Sequence, residues 1–450
     1  MRMSLLLCLV GLVACSNSGT SFPDGGLVDA AVMNGDGPVS NDDLGDFPDF
    51  ASTDLGPRSV TGHVLNYVGL PDAGFTVSVG TSKTTTDANG AFTLTVGAGA
   101  YDVTVVGNTA NAPTFNHVVK YLGLTRDDPT LRILSTETAP ATTHHATYSG
   151  SCTGLATPLP MGATGYVAAD AEALNGANFD DTSSSLSFSN TGIDWQGATP
   201  LTTTLRAAFT NAGAVIGYGT ASITFAEGQS VALASPIAQT VPTTKTLTGT
   251  LTMPTGTTNG HYDTHVLFGG GAVGASLAYG ALPADGVLSL PMPVINDSFI
   301  RISAHARFGD SNTFLIIGGL APDAALGAQP LLLPPTGNAV AGAPNAVARD
   351  VVFSVQAGQI GAVRIFVFAS AEASYTLVTM ASSTPFPDAT ALGIANPPAG
   401  VMLNSSFIEY AYDSTDGIAG DKLYSDERSV PAGKPYRIGA GSYASFAFTD

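Results

Sequence analysis

Basic residues and cysteine are the scarce components of this 450-residue chain. Sixteen lysines and arginines stand against 35 aspartates and glutamates, so the formal net charge is −19 at pH 7. Nucleic acids and anionic lipid surfaces are bound by clustered lysines and arginines, and this balance argues against both partners. Charged residues make up only 11% of the chain, which is unlike a cytosolic helical enzyme and suits an exported protein.

The abundant residues favour β-structure. Hydrophobic residues make up 44% of the chain, enough for real cores, beside 52 glycines. Strands favour Thr, Val, Ile and aromatic residues, whereas turns favour Gly, Asn and Asp. No long segment keeps a helical period, and the one short helical pattern runs from Ala168 to Leu174. We therefore predict an all-β fold of serial β-sandwich modules.

The first fifteen residues have the pattern of an export signal. Met1-Arg2-Met3 is a short positive start, Ser4 to Val13 is apolar, and small Ala14 directly precedes Cys15. Ten apolar residues span about 15 Å as a helix, about half of a bilayer core, which argues against a transmembrane anchor. Leu12-Val13-Ala14-Cys15 resembles the lipobox of bacterial lipoproteins. A secretory signal that is cut at another site is the alternative.

The lipobox resemblance implies cleavage after Ala14 and lipid attachment at Cys15. Ser16 rather than Asp follows the cysteine, which by the usual sorting pattern of lipoproteins implies attachment to the outer membrane. The pattern is compatible with the periplasmic face and with the cell surface. Cys8 would leave with the signal, so Cys152 has no intramolecular partner. We expect a lipid-anchored envelope protein whose modules are held by their cores rather than by disulfides.

Residues 15–57 are predicted to form a disordered acidic tether. Eight aspartates recur here among Gly, Pro and Ser, with no Lys or Arg between Ser16 and Pro57. Low hydrophobicity and uncompensated charge leave little buried area to offset the entropy of ordering. Calcium binding is the alternative, although the ligand spacing of an EF-hand loop does not occur here.

The clearest strand and turn pattern lies between residues 58 and 107. Its motifs are Val60-Thr61-Gly62, Pro71-Asp72-Ala73-Gly74, Thr86 to Phe92 and Gly99 to Val103. These motifs resemble the carboxypeptidase regulatory-like domain. The resemblance implies a seven-stranded, transthyretin-like sandwich, in a fold group that includes starch-binding modules. The zinc signature His-x-x-Glu follows none of the seven histidines, so the resemblance implies no peptidase.

The same strand and turn pattern continues to the C terminus. The strand motif around Gly62 has counterparts around Gly150 and Gly249, a spacing close to the length of one sandwich. The predicted divisions are a signal peptide at 1–14, the tether at 15–57 and the carboxypeptidase regulatory-like sandwich at 58–134. Further sandwiches, predicted to be carboxypeptidase regulatory-like or immunoglobulin-like, follow at 135–245, 246–345 and 346–450. The last segment, from Asp350 onward, resembles a fibronectin-type sandwich.

Three motifs have the spacing of a catalytic or cofactor site but lack the required secondary structure. His261 and His265 have zinc-ligand spacing, but their flanks predict a strand, where they would lie about 13 Å apart. Gly269 to Gly274 fits a dinucleotide fingerprint without the helix that such a site needs. Gly150 to Gly154 places Cys152 as in a nucleophile elbow, but prolines follow at once. We interpret them as a strand, a loop and a small buried or edge thiol.

Acidic residues also crowd one C-terminal segment. Asp413, Asp416 and Asp421 lie around Gly417 and Gly420. Oxygen-rich loops between strands bind calcium in exported sandwiches, whereas solvated turn carboxylates are the commoner arrangement. These three aspartates are candidate calcium ligands.

Trp195 is the only tryptophan of the chain and lies in Gly192-Ile193-Asp194-Trp195-Gln196. An exposed aromatic ring can stack on a sugar, which makes Trp195 a candidate carbohydrate contact. A single tryptophan near Ile193 in a β-protein is more often a core residue, and this interpretation is favoured over the sugar contact.

The sequence therefore favours a lipid-anchored envelope protein with a non-catalytic structural, adhesive or binding role. A glycan or another envelope protein is the expected partner, and no cofactor is implied. A carbohydrate-binding module protein is the first alternative. The second is a hydrolase that uses Cys152 or a metal.

Overall fold

A computed structural model describes residues 56–66, 71–109, 112–133, 144–170, 176–195, 198–268, 273–337, 346–420, 435–443 and 445–449. Within these ranges the chain forms thirty-one β-strands, one short α-helix and one 3-10 turn. The all-β prediction is confirmed. No helix in the described part is long and apolar enough to cross a membrane.

The first module contains seven strands in two sheets. They are β1 (Arg58–Leu65), β2 (Thr76–Val79), β3 (Ser82–Thr85), β4 (Ala91–Val96), β5 (Tyr101–Thr109), β6 (Ala112–Leu124) and β7 (Thr130–Arg132). The sheet β4-β1-β7 packs on the strands β3, β2, β5 and β6. The turn before β4 forms because Asp87 Oδ1 accepts hydrogen bonds from the Asn89 and Ala91 amides, both at 2.8 Å, and Gly90 supplies a φ of 68°.

The second module is a sandwich of eight strands. They are β8 (His144–Thr153), β9 (Thr164–Ala169), β10 (Ala177–Asp180), β11 (Ser187–Trp195), β12 (Leu201–Asn211), β13 (Ala214–Phe225), β14 (Ser230–Ala232) and β15 (Ile237–Ala238). One sheet has the order β10-β9-β12-β13; the other has the order β11-β8-β14, with β15 also on β8. The helical prediction from Ala168 is wrong for its first two residues, because Ala168 and Ala169 are buried at the end of β9 between its paired strands. Residues 171–174 of that prediction lie outside the described part.

The third module contains seven strands. They are β16 (Thr244–Thr252), β17 (Thr258–Phe268), β18 (Val273–Ala281), β19 (Val287–Pro293), β20 (Ser298–Phe308), β21 (Ser311–Leu320) and β22 (Ala325–Pro330). The sheet β19-β16-β22 covers one face of the strands β18-β17-β20-β21. The second module packs beside them, with the Tyr218 and Phe268 rings stacked at a centroid distance of 4.9 Å.

The fourth module contains nine strands and the α-helix. They are β23 (Thr336–Gly337), β24 (Ala346–Val347), β25 (Val352–Gln356), β26 (Val363–Ala369), β27 (Ala373–Thr379), β28 (Ser383–Pro385), β29 (Met402–Tyr410), α1 (Thr415–Gly420), β30 (Pro435–Ser442) and β31 (Phe446–Phe448). The 3-10 turn lies at Thr390–Leu392. An aromatic core that includes Phe353, Phe366 and Phe368 fills the space between β26, β27 and β29 and the short strands.

One long sheet joins three of the modules. Its strand order is β18-β17-β20-β21-β30-β29-β26-β27-β6-β5-β2-β3. Strand β21 pairs antiparallel with β30, and β27 pairs parallel with β6 from Ala373 opposite Asn116 to Val378 opposite Tyr121. The first module therefore lies next to the fourth, and the spatial order of the modules differs from their order in the chain.

Candidate functional site

An open groove lies on the second module between β10 and β11. These are edge strands of the two opposing sheets, and in the described part β10 pairs only with β9 and β11 only with β8. The groove has a volume of about 800 Å³. Its polar lining comes from Asn178, Ser187, Ser189, Asn190 and Thr191. Its remaining lining is aromatic or small, namely Tyr166, Phe179, Phe188, Gly176, Ala177 and Gly192.

A β-bulge in β11 forms the polar rim of this groove. The register of β11 on β8 shifts between Phe188 and Thr191, which leaves Ser189 and Asn190 outside the regular pairing. Asn190 has a φ of 51°, a left-handed conformation that asparagine tolerates better than most residues. Both bulge residues are exposed, so their hydroxyl and amide groups are available to a ligand.

Aromatic side chains form the floor and one wall of the groove. Phe179 and Phe188 are only 7% and 6% exposed, so they support the rim from the core of the module. Tyr166 packs directly over Gly176, where an added Cβ would overlap the phenol ring. Burial raises the pKa of Tyr166, which keeps its hydroxyl neutral.

The eleven described residues that line the groove are all uncharged. Among the described residues Asp180, Asp181 and Asp194 flank it in sequence, and each has a partner of its own. Asp180 Oδ1 accepts hydrogen bonds from the Thr182 amide at 3.0 Å and the Thr182 hydroxyl at 2.6 Å. Asp181 Oδ2 accepts one from the Gly162 amide at 2.6 Å, and Asp194 Oδ1 lies 2.8 Å from His145 Nδ1. The groove therefore offers neutral hydrogen-bond donors and acceptors beside aromatic rings, which suits binding rather than proton transfer.

A second cluster lies on the third module, on the sheet face turned away from its core. In β17, His261, Asp263 and His265 alternate with the core-facing Thr264 and Val266. This confirms that the two histidines lie in a strand. Within the described residues, no three His, Cys, Asp or Glu side chains are arranged to hold a metal ion.

Four aromatic rings cross this face from strand to strand. The centroid distances are 5.4 Å from Tyr279 to His261, 5.4 Å from His261 to His305 and 5.8 Å from His305 to Phe314. Burial and the neighbouring His261 lower the pKa of His305. The rings stack on one another across the sheet face, and of the four only Tyr279 is largely exposed, at 57%.

Asp263 occupies the centre of the same face. Burial favours its protonated form, but hydrogen bonding and charge from His265, together with the charge of Arg301, lower its pKa overall. Asp263 Oδ2 lies 3.4 Å from His265 Nε2. The other oxygen, Oδ1, is buried without a hydrogen-bond partner among the described residues, so the contact with His265 engages only one carboxylate oxygen.

Trp195 is buried at the end of β11 and is 2% exposed. Its indole Nε1 donates a hydrogen bond to the Ala198 carbonyl at 3.1 Å, and its ring packs near His144 and Phe225. Of the two interpretations of Trp195, burial favours the core role, because a sugar needs an exposed ring face.

Cys152 lies within β8 and is 6% exposed. This confirms the interpretation as a buried thiol. Burial raises its pKa to about 12, so the thiol stays protonated at neutral pH. A nucleophilic cysteine needs the opposite shift, and the environment of Cys152 disfavours its use by a hydrolase.

Asp416 lies in the first turn of α1 and binds the loop after β6. Its Oδ1 accepts hydrogen bonds from the Thr125 amide at 2.8 Å and the Arg126 amide at 3.3 Å, and its Oδ2 accepts one from the Thr125 hydroxyl. Asp413 is exposed, and Asp421 lies outside the described residues. The calcium prediction for these three aspartates stays untested.

The predicted lipid site also lies outside the described residues, as do Ala14, Cys15 and the tether up to residue 55. Of the predicted glycine-rich loop, residues 269–272 lie outside as well, and Gly274 belongs to β18. The resemblance of residues 58–107 to the carboxypeptidase regulatory-like domain remains a prediction.

The groove was missed by sequence reasoning. A signal was present, because Ser189-Asn190-Thr191-Gly192 interrupts the alternation of apolar and polar residues between Phe188 and Ile193. Such an interruption inside a strand indicates a bulge. What the sequence lacked was any sign that β10 would border the same groove from the opposing sheet.

No protein-family model matches the chain, and no curated protein matches its sequence. Among solved structures, the Bacillus anthracis TIE protein is 12% identical over 61% of this chain, with a TM-score of 0.14, and this chain covers 50% of it. An ice-binding, Ca2+-stabilized adhesin of an Antarctic bacterium is 14% identical, with 87% of this chain and 99% of the adhesin covered and a TM-score of 0.15. The major pilin subunit of Bacillus cereus is 12% identical, with 61% and 99% covered and a TM-score of 0.13. These similar structures thus include an adhesin and a pilin, and TM-scores this low carry no functional assignment.

Proposed function

We propose that this chain is a lipid-anchored protein of the outer membrane with a non-catalytic structural or adhesive role. In this proposal Cys15 carries the lipid, the aspartate-rich tether holds the modules away from the membrane, and the groove of the second module meets the partner. The partner is a glycan or another protein of the envelope.

The observation that carries the structural part is the long sheet. A tensile force on the tether would act on the first module at β1, which begins at Arg58. That module is hydrogen-bonded to the fourth through β6 and β27. The fourth module is paired in turn with the third through β30 and β21. Backbone pairing that continues across three modules resists hinge motion between them, as a stalk or adhesive arm requires.

Two further contacts support the same role by holding the first and fourth modules together. Thr415 Oγ1 donates a hydrogen bond to the Leu122 carbonyl at 3.0 Å, and Lys83 Nζ donates one to the Ala391 carbonyl at 2.9 Å. The second contact involves β3, which forms one edge of the long sheet. A lysine on an edge strand also opposes aggregation through that edge.

The lipid anchor is tested in cells that express the full-length chain. Wild-type protein should incorporate a clickable fatty acid and fractionate with the outer membrane, whereas Cys15→Ser should do neither. Cys152→Ser is the matched control, because its thiol is buried, and it should label like the wild type. Equal labelling of the wild type and Cys15→Ser would contradict the anchor.

The adhesive role is tested with a strain that lacks the protein. Attachment to polysaccharide-coated surfaces and to neighbouring cells should fall in the deletion strain and return with the wild-type chain. Attachment that is unchanged by the deletion on every surface would contradict an adhesive role.

A carbohydrate-binding role is the second candidate, and the uncharged groove favours it. Hydroxyl and amide groups beside aromatic rings are the side chains that bind sugars through hydrogen bonds and stacking. This role is compatible with the first, since an envelope adhesin can use a glycan as its partner.

A further inference from the structure

We propose that the groove between β10 and β11 binds an uncharged glycan chain. This inference rests on the proposed binding role of the protein and adds the location and the chemical class of the ligand. The second module then carries recognition, although neither Trp195 nor the carboxypeptidase regulatory-like motifs of the first module contribute to it.

The neutral lining of the groove favours an uncharged ligand. The chain has a formal net charge of −19, yet the described residues that line the groove are all uncharged. An acidic ligand would be repelled by the protein as a whole and would meet no Lys or Arg among these residues. A basic ligand would meet no carboxylate among them. An uncharged ligand incurs neither cost.

The polar groups of the groove match those of a sugar. Asn178 and Asn190 each offer an amide that both donates and accepts, and Ser187, Ser189 and Thr191 offer hydroxyls. A sugar presents adjacent hydroxyls that need the same mixture of donors and acceptors. Because Ser187, Ser189 and Asn190 are exposed on one rim, they can contact several hydroxyls along a chain.

The open shape of the groove suits a polymer. The groove lies between two strand edges, so a polymer can enter and leave at its ends instead of being enclosed. Phe179 and Phe188 are buried beneath the polar rim and support it, and the half-buried Tyr166 supplies the aromatic ring that a pyranose can contact.

An extended peptide is the competing ligand, because edge strands can pair with an added strand. The bulge at Ser189 and Asn190 argues against that ligand, since it interrupts the regular row of backbone groups that an added strand would use. Binding of an extended peptide in the groove in place of a glycan would overturn the proposal.

The test uses the full-length protein on immobilised neutral polysaccharides, namely α-glucan, β-glucan, mannan and xylan. Uronate-containing and sulfated polymers serve as acidic comparisons. We expect binding to at least one neutral polymer, retained when the salt concentration is raised about tenfold, because no ion pair is involved. Binding to acidic polymers alone, or to none of the panel, would overturn the proposed ligand class.

Two variants locate the site. Asn190→Gly removes the amide but keeps the left-handed backbone at no steric cost, and it should weaken neutral-polymer binding about tenfold, the loss of one or two good hydrogen bonds. Ser187→Trp should block the groove and abolish binding. Ser222→Trp, at an exposed position of β13 outside the groove, is the size-matched control and should bind normally. Circular dichroism checks that all three fold.

The outcomes separate this inference from the proposed function. If the deletion strain loses adhesion but Ser187→Trp still binds neutral polymers like the wild type, the groove is the wrong site and the adhesive role stands. If Ser187→Trp loses binding of an extended peptide but keeps binding of neutral polymers, the groove is a peptide site and the proposed ligand class is wrong. If purified protein binds glycan through the groove but the deletion strain adheres normally, the adhesive role fails and this inference stands.

Discussion

His117 Nδ1 lies 3.0 Å from Ser374 Oγ, although 257 residues separate the two in the chain. The two residues are direct partners where β6 of the first module runs parallel to β27 of the fourth. Both are buried, at 5% and 1% exposure. This single polar pair lies within the joint that connects the two modules at opposite ends of the described chain.

Acid should destabilise this joint through His117. Burial lowers the pKa of His117 from its ordinary 6.5 to about 4. Between these pH values His117 is protonated in the unfolded chain and neutral in the folded chain. Stability from this group is complete above pH 6.5 and falls as the pH drops from there towards 4. The free energy of unfolding should fall by about 1–3 kcal/mol over this range. A decrease of Tm with falling pH reports this loss.

The His117→Gln variant provides the comparison, because an amide can keep a hydrogen bond with Ser374 without titrating. Its Tm should fall less than that of the wild type between pH 6.5 and pH 4.5. Other groups titrate in the same window, so the difference between the two proteins is the quantity to read. Parallel Tm curves would mean that His117 does not govern the acid response.

Asp416 should also hold the first and fourth modules together, through the loop that follows β6. Asp416→Ala removes the acceptor for the Thr125 and Arg126 amides and should lower the free energy of unfolding by about 1–3 kcal/mol. Asp413→Ala, at an exposed position two residues before α1, should change it by less than about 0.5 kcal/mol. Denaturant unfolding of the full chain measures both.

The same pair of variants tests the calcium prediction. If calcium binds near Asp416, a chelator should lower the Tm of the wild type and leave Asp416→Ala unaffected. If Asp416 acts only through its hydrogen bonds, the chelator should leave both proteins unchanged while the difference between them persists.

Local structure was predictable where the chemistry is local. The alternation from Val60 to Val64 predicted a strand, which the structure extends to Arg58–Leu65. Asn89-Gly90 predicted the turn that the Asp87 side chain closes. The strand assignment of His261 and His265 followed from their flanks and excluded a shared zinc ion. Each depends on residues within a few positions of one another, and short-range patterns carry that information.

The arrangement of the modules was not predictable in this way. The pairing of His117 with Ser374 joins distant segments, and neither strand carries a local mark of its partner. The helix α1 spans only Thr415–Gly420, too few residues for a helical period to appear. The groove likewise depends on β10 and β11 lying at facing edges, which is a consequence of sheet order rather than of either sequence.

Asp72 should destabilise the first module at neutral and higher pH. It is 3% exposed, its Oδ2 has no hydrogen-bond partner among the described residues, and burial raises its pKa to about 7. The folded chain keeps a proton that the unfolded chain has lost, so stability falls as the pH rises from about 4 to 7. Asp72→Asn should raise the Tm at pH 8 and have a smaller effect at pH 4.

Asp310→Asn is the control for this charge removal, because the Asp310 side chain is 92% exposed. Its Tm should follow the wild type at both pH values. A Tm for Asp72→Asn below that of the wild type at pH 8 would show that the Asp72 carboxylate is stabilised by contacts of its own.

Trp195 should behave as a core residue of the second module. Trp195→Ala removes a buried ring that packs near Phe225 and leaves the Ala198 carbonyl without its donor, so the free energy of unfolding should fall by about 3–5 kcal/mol. Tyr279→Ala, whose ring is 57% exposed, should cost clearly less. As the only tryptophan, Trp195 also reports on its own environment, and wild-type emission should be blue-shifted and poorly quenched by acrylamide. Strong quenching in the folded protein would place the ring at the surface and restore it as a sugar contact.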